Sequence, residues 1–98
     1  MNTKEIKTYR LIIKGKVQDV GFRHWFSSLV ISFGLTGYVK NLKNINEVEA
    51  VIQGQVNEIL KISKITKEGN RIILVKKIII NEIFNNVIYS DFTIQYEN

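Results

Sequence analysis

The chain has no cysteine and only one histidine among its 98 residues. Without cysteine, neither a disulfide framework nor a thiolate metal site is possible. A single histidine also argues against a histidine-based zinc site. Proline is absent as well, and no linker, repeat or low-complexity tract divides the sequence. We therefore expect one domain over residues 1–98, which is long enough to bury a core of its own and too short for two.

Long apolar runs are also missing. No stretch approaches the roughly 18 to 20 consecutive apolar residues of a membrane-spanning helix. The first residues, Met-Asn-Thr-Lys-Glu, lack the apolar core of a signal peptide. The hydrophobic fraction of 45% is typical of a globular chain and argues against disorder. We expect no association with a membrane and a cytoplasmic location.

The charge is moderately basic, with 14 Lys and Arg against 9 Asp and Glu and a net charge of +5 at pH 7. Residues 1–49 carry 8 basic and 4 acidic side chains, whereas residues 50–98 carry 6 and 5. A basic half can steer an anionic substrate inward or bind nucleic acid non-specifically. The charge alone does not choose between these functions.

The stretch from Gly15 to Arg23 joins a predicted strand to a predicted helix. Residues 7–14 alternate in the manner of a strand with one apolar face, and residues 22–33 carry the apolar stripe of an amphipathic helix. At a helix N-terminus the first backbone N–H groups lack helical partners and the macrodipole is positive, so an anion is stabilised there. Arg23 falls in the first helical turn, where its guanidinium can reach the same anion. This junction is a candidate phosphate site.

The remaining patterns predict the other elements of the fold. We expect strands over 36–42, 47–53, 72–80 and 91–96, and a second helix over 55–67. Gly54 is expected to end the third strand, and Val56, Ile59 and Leu60 to share the apolar face of the second helix. The element order is βαββαβ plus a short C-terminal strand. It predicts an α+β ferredoxin-like sandwich, an antiparallel sheet with two helices on one face and the first and third strands at its centre.

Three segments carry a resemblance to a known family. The run Gly-Lys-Val-Gln-Asp-Val-Gly-Phe-Arg at 15–23 resembles the signature of the acylphosphatases, small enzymes that hydrolyse the carboxyl–phosphate bond of acyl phosphates. Residues 33–41, Phe-Gly-Leu-Thr-Gly-Tyr-Val-Lys-Asn, are similar to the family's Gly-Leu-x-Gly-x-Val-x-Asn block. Residues 89–94 are similar to the ending of many members. With the element order, the resemblance covers nearly the whole chain.

The resemblance implies a role for each matching position. Arg23 matches the arginine that binds the phosphoryl group, and Asn41 the asparagine that positions the attacking water. The backbone amides of the phosphate-binding loop, those of Val17, Gln18, Asp19, Val20, Gly21 and Phe22, are expected to bind the phosphate with Arg23. An amide side chain cannot remove a proton, so the proton acceptor is expected to be the substrate's own phosphate. The resemblance implies a monomeric enzyme for a small acyl phosphate that needs no metal or cofactor.

Two departures from the family pattern concern the proposed site. Asp19 stands where the family usually has Gly, a change that costs the backbone little if the residue has positive φ. Its carboxylate would repel a phosphate if it faced the loop, and would only dilute the positive potential if it pointed outward. We hypothesise that the site survives with weakened substrate affinity. The turn after Asn41, residues 43–47, is one residue longer than usual and lacks Gly, which can shift Asn41.

Other interpretations stay open. Because of Asp19, the chain can be a phosphate-binding domain with weakened catalysis. An RNA-recognition module shares this topology, but it needs aromatic residues on its first and third strands, where this chain offers only Tyr9. We therefore expect no nucleic-acid partner. Phe22 and Trp25 are expected to pack in the core or against a helix flank rather than to stack on substrate, and His24 to be exposed and uninvolved.

Overall fold

The computed structural model describes residues 5–96, which form five strands and two helices. In chain order these are β1 (Ile6–Lys16), α1 (Phe22–Ser32), β2 (Thr36–Asn41), β3 (Glu47–Gln55), α2 (Val56–Glu68), β4 (Leu74–Glu82) and β5 (Phe92–Gln95). The predicted order of elements is confirmed, including the short C-terminal strand.

The predicted end of β3 and start of β4 were wrong. Strand β3 continues through Gly54 to Gln55, because both residues pair with β1, Gly54 with Lys7 and Gln55 with Ile6. Strand β4 begins at Leu74, two residues later than predicted. The preceding turn is held by Asn70, whose Oδ1 accepts hydrogen bonds from the backbone N–H groups of Ile72 and Ile73, at 2.8 Å each.

The five strands form one sheet in the order β4-β1-β3-β2-β5, so β1 and β3 lie at its centre as predicted. The four longer strands pair with one another in antiparallel fashion, and β2 and β3 form the expected hairpin. Strand β5, in contrast, is parallel to β2, which makes the whole sheet mixed. Residues 83–91 cross from one edge of the sheet to the other at the end where β4 finishes. A strand that starts from that end runs in the direction of β2.

Both helices pack on the same face of the sheet and enclose the core. The buried cluster takes aromatic and aliphatic side chains from α1, α2 and the facing side of the sheet: Leu11, Ile13, Phe22, Phe26, Val30, Val39, Val48, Ala50, Ile52, Ile59 and Ile62. The prediction of Leu60 on the buried face of α2 was wrong, because its side chain is 60% exposed. The buried stripe runs through Val56, Ile59, Ile62 and Thr66, the spacing of a helix with one face on a sheet.

Neither helix within residues 5–96 is long and apolar enough to cross a membrane.

The position of the buried stripe on α2 can be tested by a pair of substitutions. Ile62→Ala removes a fully buried side chain and should lower the free energy of unfolding by about 2–5 kcal/mol. Leu60→Ala, at an exposed position, should change it by less than about 0.5 kcal/mol. Denaturant unfolding of both variants measures the two values. A larger loss from Leu60→Ala than from Ile62→Ala would contradict the described packing.

Candidate active site

The loop that joins β1 to α1 is anchored at both ends by buried side chains. Val17 is fully buried after the last residue of β1, and Phe22 is 1% exposed at the first position of α1. The Phe22 ring stacks on Phe26 with centroids 5.4 Å apart and lies 5.9 Å from the ring of Trp25. Phe22 and Trp25 therefore pack as predicted. The short loop between these anchors is fixed in its position.

The backbone of this loop leaves the start of α1 open. Gly21, the N-cap residue, has φ 75° and carries no side chain to bond the first helical N–H groups. In the part of the chain that the structure describes, no side chain caps this terminus, and its first turn holds no acidic residue. Uncapped N–H groups at the positive end of the helix dipole favour an anionic ligand.

A cavity of about 90 Å³ lies at this helix start. It is lined by loop and helix residues and by the last residue of β2: Val17, Asp19, Gly21, Phe22, Arg23, His24 and Asn41. Asn41 shares the helix-covered face of the sheet because it alternates with the buried Val39. The structure thus brings Arg23 and Asn41, both predicted from sequence, to one small cavity beside the loop.

The side-chain oxygen of Asn41 is buried and has no hydrogen-bond partner within residues 5–96. Leaving such a group unsatisfied costs about 1–3 kcal/mol, since its hydration is lost without a replacement bond. Buried unpaired polar atoms are rare in folded proteins, and each needs an explanation. A water or ligand in the cavity would supply the missing donor.

Residues at the end of β5 and just after it contact the guanidinium of Arg23. Its Nη1 donates to the backbone carbonyl of Gln95 at 3.2 Å, and its Cζ lies 4.8 Å from the centroid of the Tyr96 ring. A cation above an aromatic face is attracted by the ring quadrupole. Gln95 and Tyr96 were not predicted as part of the site. Every residue has a backbone carbonyl, so residue type does not predict which carbonyl will contact Arg23. Tyr96 fitted the alternating pattern of the last predicted strand.

Asp19 adopts φ 60°, a left-handed conformation, in the loop. Aspartate accepts this region more readily than most residues, so the backbone keeps the shape that a glycine would give it. The Asp19 side chain is exposed, and it lines the cavity. Solvent therefore weakens the repulsion between its carboxylate and a bound anion without removing it. His24 was expected to be uninvolved; it is exposed, as predicted, but also lines the cavity.

The other two loop side chains point away from the cavity. Val20 packs against the core, and the Gln18 carboxamide bonds to the hairpin between β2 and β3. Within residues 5–96, no three His, Asp or Glu side chains come together as a metal site. That the reaction needs no metal or cofactor stays a prediction.

The chain is similar to acylphosphatases in both sequence and fold. The family model "Acylphosphatase" matches residues 9–94. An acylphosphatase of Caldivirga maquilingensis is 47% identical over 58 residues, which are 56% of this chain and 61% of that relative. One of Dehalococcoides mccartyi is 32% identical over 89% of this chain and 96% of its own length. The crystal structure of acylphosphatase from Bacillus subtilis superposes with a TM-score of 0.86 at 29% sequence identity. The match covers 94% of this chain and 100% of that one.

The effect of the Asp19 carboxylate can be measured by phosphate binding. Asp19→Asn removes the charge and keeps a residue that tolerates positive φ, so the affinity for inorganic phosphate should rise roughly three- to tenfold. Asp19→Gly should give a similar gain, because the backbone conformation is already the one that glycine favours. Titration calorimetry at low ionic strength gives both dissociation constants. If neither substitution changed the affinity, the carboxylate would play no part in anion binding.

Proposed function

The chain belongs to the acylphosphatase family, and on this premise we propose that it hydrolyses a small acyl phosphate to a carboxylate and inorganic phosphate. The observation that supports this most directly is the cavity at the start of α1. There an uncapped helix N-terminus, the Arg23 side chain and the unpaired Asn41 oxygen surround one small volume. A cation, backbone donors and a neutral amide are the groups that placement of a phosphoryl group and a water requires.

The phosphoryl group is held by the loop and by Arg23. The backbone N–H groups of residues 17–22 and the guanidinium donate to its non-bridging oxygens, whose charge changes during the transfer. Phosphoryl transfer depends mainly on positioning and on electrostatic stabilisation of these oxygens. A loop anchored by Val17 and Phe22 needs little reorganisation during the reaction, which increases the value of each donor.

The attacking water is held by Asn41. Its Oδ1 accepts a hydrogen bond from the water, which directs a water lone pair at phosphorus on the side opposite the carboxylate. As the new P–O bond forms, the bond to the acyl oxygen breaks, and the carboxylate leaves with the electron pair. The amide takes no proton, so the water proton passes to a phosphoryl oxygen. A carboxylate is stable as an anion at neutral pH, so its departure needs no proton from the protein.

An RNA-binding function is the less favoured candidate. On the sheet face opposite the helices, Arg10 Nε donates to Glu49 at 2.6 Å, and Lys40 lies 3.7 Å from the same carboxylate. Lys14 pairs with Glu47 at 3.2 Å. These basic side chains are already neutralised by acidic neighbours on the face that an RNA-recognition module would use.

Several finer expectations stay predictions. These are the single domain over residues 1–98, the monomeric state and the cytoplasmic location. A fold with weakened catalysis because of Asp19 also stays open, and kinetics of the Asp19 variants would reveal it.

The roles of Arg23 and Asn41 can be tested by phosphate release from an aryl acyl phosphate, with a metal chelator present. Arg23→Ala and Asn41→Ala should each lower kcat/KM by at least about a hundredfold, because each removes a group that positions or stabilises the reacting atoms. Arg71→Ala and Asn86→Ala are matched controls at exposed positions outside the helices and strands, and they should keep wild-type activity.

Each alternative gives a different result in this assay. Inactive wild type with active Asp19→Gly would identify a silenced acylphosphatase. Wild-type activity retained in either site variant would remove that residue from the proposed mechanism. Inactivity of the wild type and of Asp19→Gly would contradict the proposed function.

The RNA-binding alternative predicts salt-dependent affinity for single-stranded oligonucleotides. Because Arg10, Lys14 and Lys40 on the open sheet face are paired, we expect dissociation constants no tighter than about 0.1 mM at physiological salt. Fluorescence anisotropy with labelled RNA of mixed sequence measures this. A micromolar affinity that falls steeply with added salt would favour the alternative.

A further inference from the structure

The side chain of Gln18 connects the phosphate-binding loop to the hairpin that carries Asn41. Its Nε2 donates to the backbone carbonyls of Leu42 at 2.9 Å, Glu47 at 2.9 Å and Asn44 at 3.1 Å. We propose that Gln18 is a positioning residue, which sets Asn41 at the distance from the bound phosphoryl group that water attack requires. This inference rests on the proposed function, since it assigns Gln18 an effect exerted through Asn41.

The three acceptors come from the whole hairpin turn. Leu42 directly follows Asn41 at the end of β2, Asn44 lies at the tip, and Glu47 begins β3. A carboxamide has two N–H groups, so one of them is shared between two carbonyls. The bond to the Leu42 carbonyl acts on the residue next to Asn41. Movement of the turn away from the loop would therefore break the contact that lies closest to the catalytic side chain.

Hydrogen bonds within the turn close it, and the bonds from Gln18 attach it to the phosphate-binding loop. Leu42 N–H donates to the Glu47 carbonyl at 3.1 Å, and Glu47 N–H donates to the Asn44 carbonyl at 3.0 Å. Asn44 Oδ1 accepts from Asn46 N–H at 2.9 Å, which closes the tip without a glycine. One backbone bond, from Gly15 N–H to the Asn46 carbonyl at 2.9 Å, ties the β3 side of the turn to β1. Gln18 supplies the link on the side of Asn41.

This link matters for the reaction because the two reactants are held by different elements. The loop and Arg23 hold phosphorus, whereas Asn41 at the end of β2 holds the water. Reacting atoms must be brought to about 3–3.5 Å with the correct direction, and a shift of about 1 Å can cost a hundredfold in rate. A residue whose backbone lies in the loop and whose side chain bonds the hairpin relates these two positions directly.

The test is Gln18→Met, which keeps an unbranched neutral side chain of similar length and removes both donors. For an aryl acyl phosphate, kcat should fall by about tenfold or more, while KM and the inhibition constant of inorganic phosphate change by less than about threefold. Gln53→Met is the matched control. The Gln53 carboxamide also bridges separate segments, through Thr8 Oγ1 at 2.9 Å, the Val87 carbonyl at 2.8 Å and Tyr89 N–H at 2.9 Å.

Gln53 pairs with Thr36 at the opposite end of β2, about 17 Å along the strand from Asn41. Gln53→Met should therefore lower stability without lowering kcat. A purely structural role of Gln18 would make the two variants alike, with loss of stability and an unchanged kcat below the unfolding transition. That result would overturn the inference.

The double variant separates this inference from the proposed function. If Gln18 acts through Asn41, then adding Gln18→Met to Asn41→Ala should lower kcat by less than about twofold further. A further loss as large as in the wild-type background would overturn the inference. Full activity of Asn41→Ala would also overturn the inference, because it removes the residue through which Gln18 acts. Inactivity of the wild type and of Asp19→Gly would overturn the proposed function instead. If Gln18→Met does not fold, Gln18→Asn keeps the carboxamide one methylene short of the hairpin and should lower kcat in the same way.

Discussion

The site depends on the burial of the two side chains that end the phosphate-binding loop. Val17 and Phe22 are in the core, so the loop between them cannot move without exposing apolar surface. Its position fixes the start of α1, and the missing side-chain cap leaves that helix end to an external anion. Arg23 lies one residue after Phe22. The hydrophobic core therefore places the groups that we propose bind the phosphoryl group.

Much of this arrangement could be predicted, because it follows from local patterns. The alternation in β1 and the stripe of α1 located the loop, and the matched segments located Arg23 and Asn41. The remaining features depend on contacts between distant residues. Gly54 belongs inside a strand because it pairs with Lys7 of β1, and Ile62 rather than Leu60 faces the sheet. The Arg23 and Gln18 side chains donate to backbone carbonyls of Gln95 and of the hairpin, and the residue type gives no signal for such acceptors.

Basic side chains have different surroundings on the open face of the sheet and at the start of α1. On the open face of the sheet, Arg10 and Lys40 lie against the buried Glu49. Burial, with that carboxylate beside it, also raises the pKa of Tyr38 to about 12, so its hydroxyl stays protonated and donates to Glu49 at 3.2 Å. Arg23 instead lies at a cavity whose one acidic lining residue, Asp19, is exposed. An anion is therefore favoured at the helix start.

Water attack at phosphorus can be distinguished from attack at the acyl carbon by isotope incorporation. An aryl acyl phosphate is hydrolysed in water enriched in the heavy oxygen isotope, with chelator present. Phosphorus NMR and mass spectrometry then locate the label. Attack at phosphorus predicts one labelled oxygen in the inorganic phosphate and none in the carboxylate. Label in the carboxylate would show attack at the acyl carbon, and would contradict the role given to the phosphate-binding loop and Asn41.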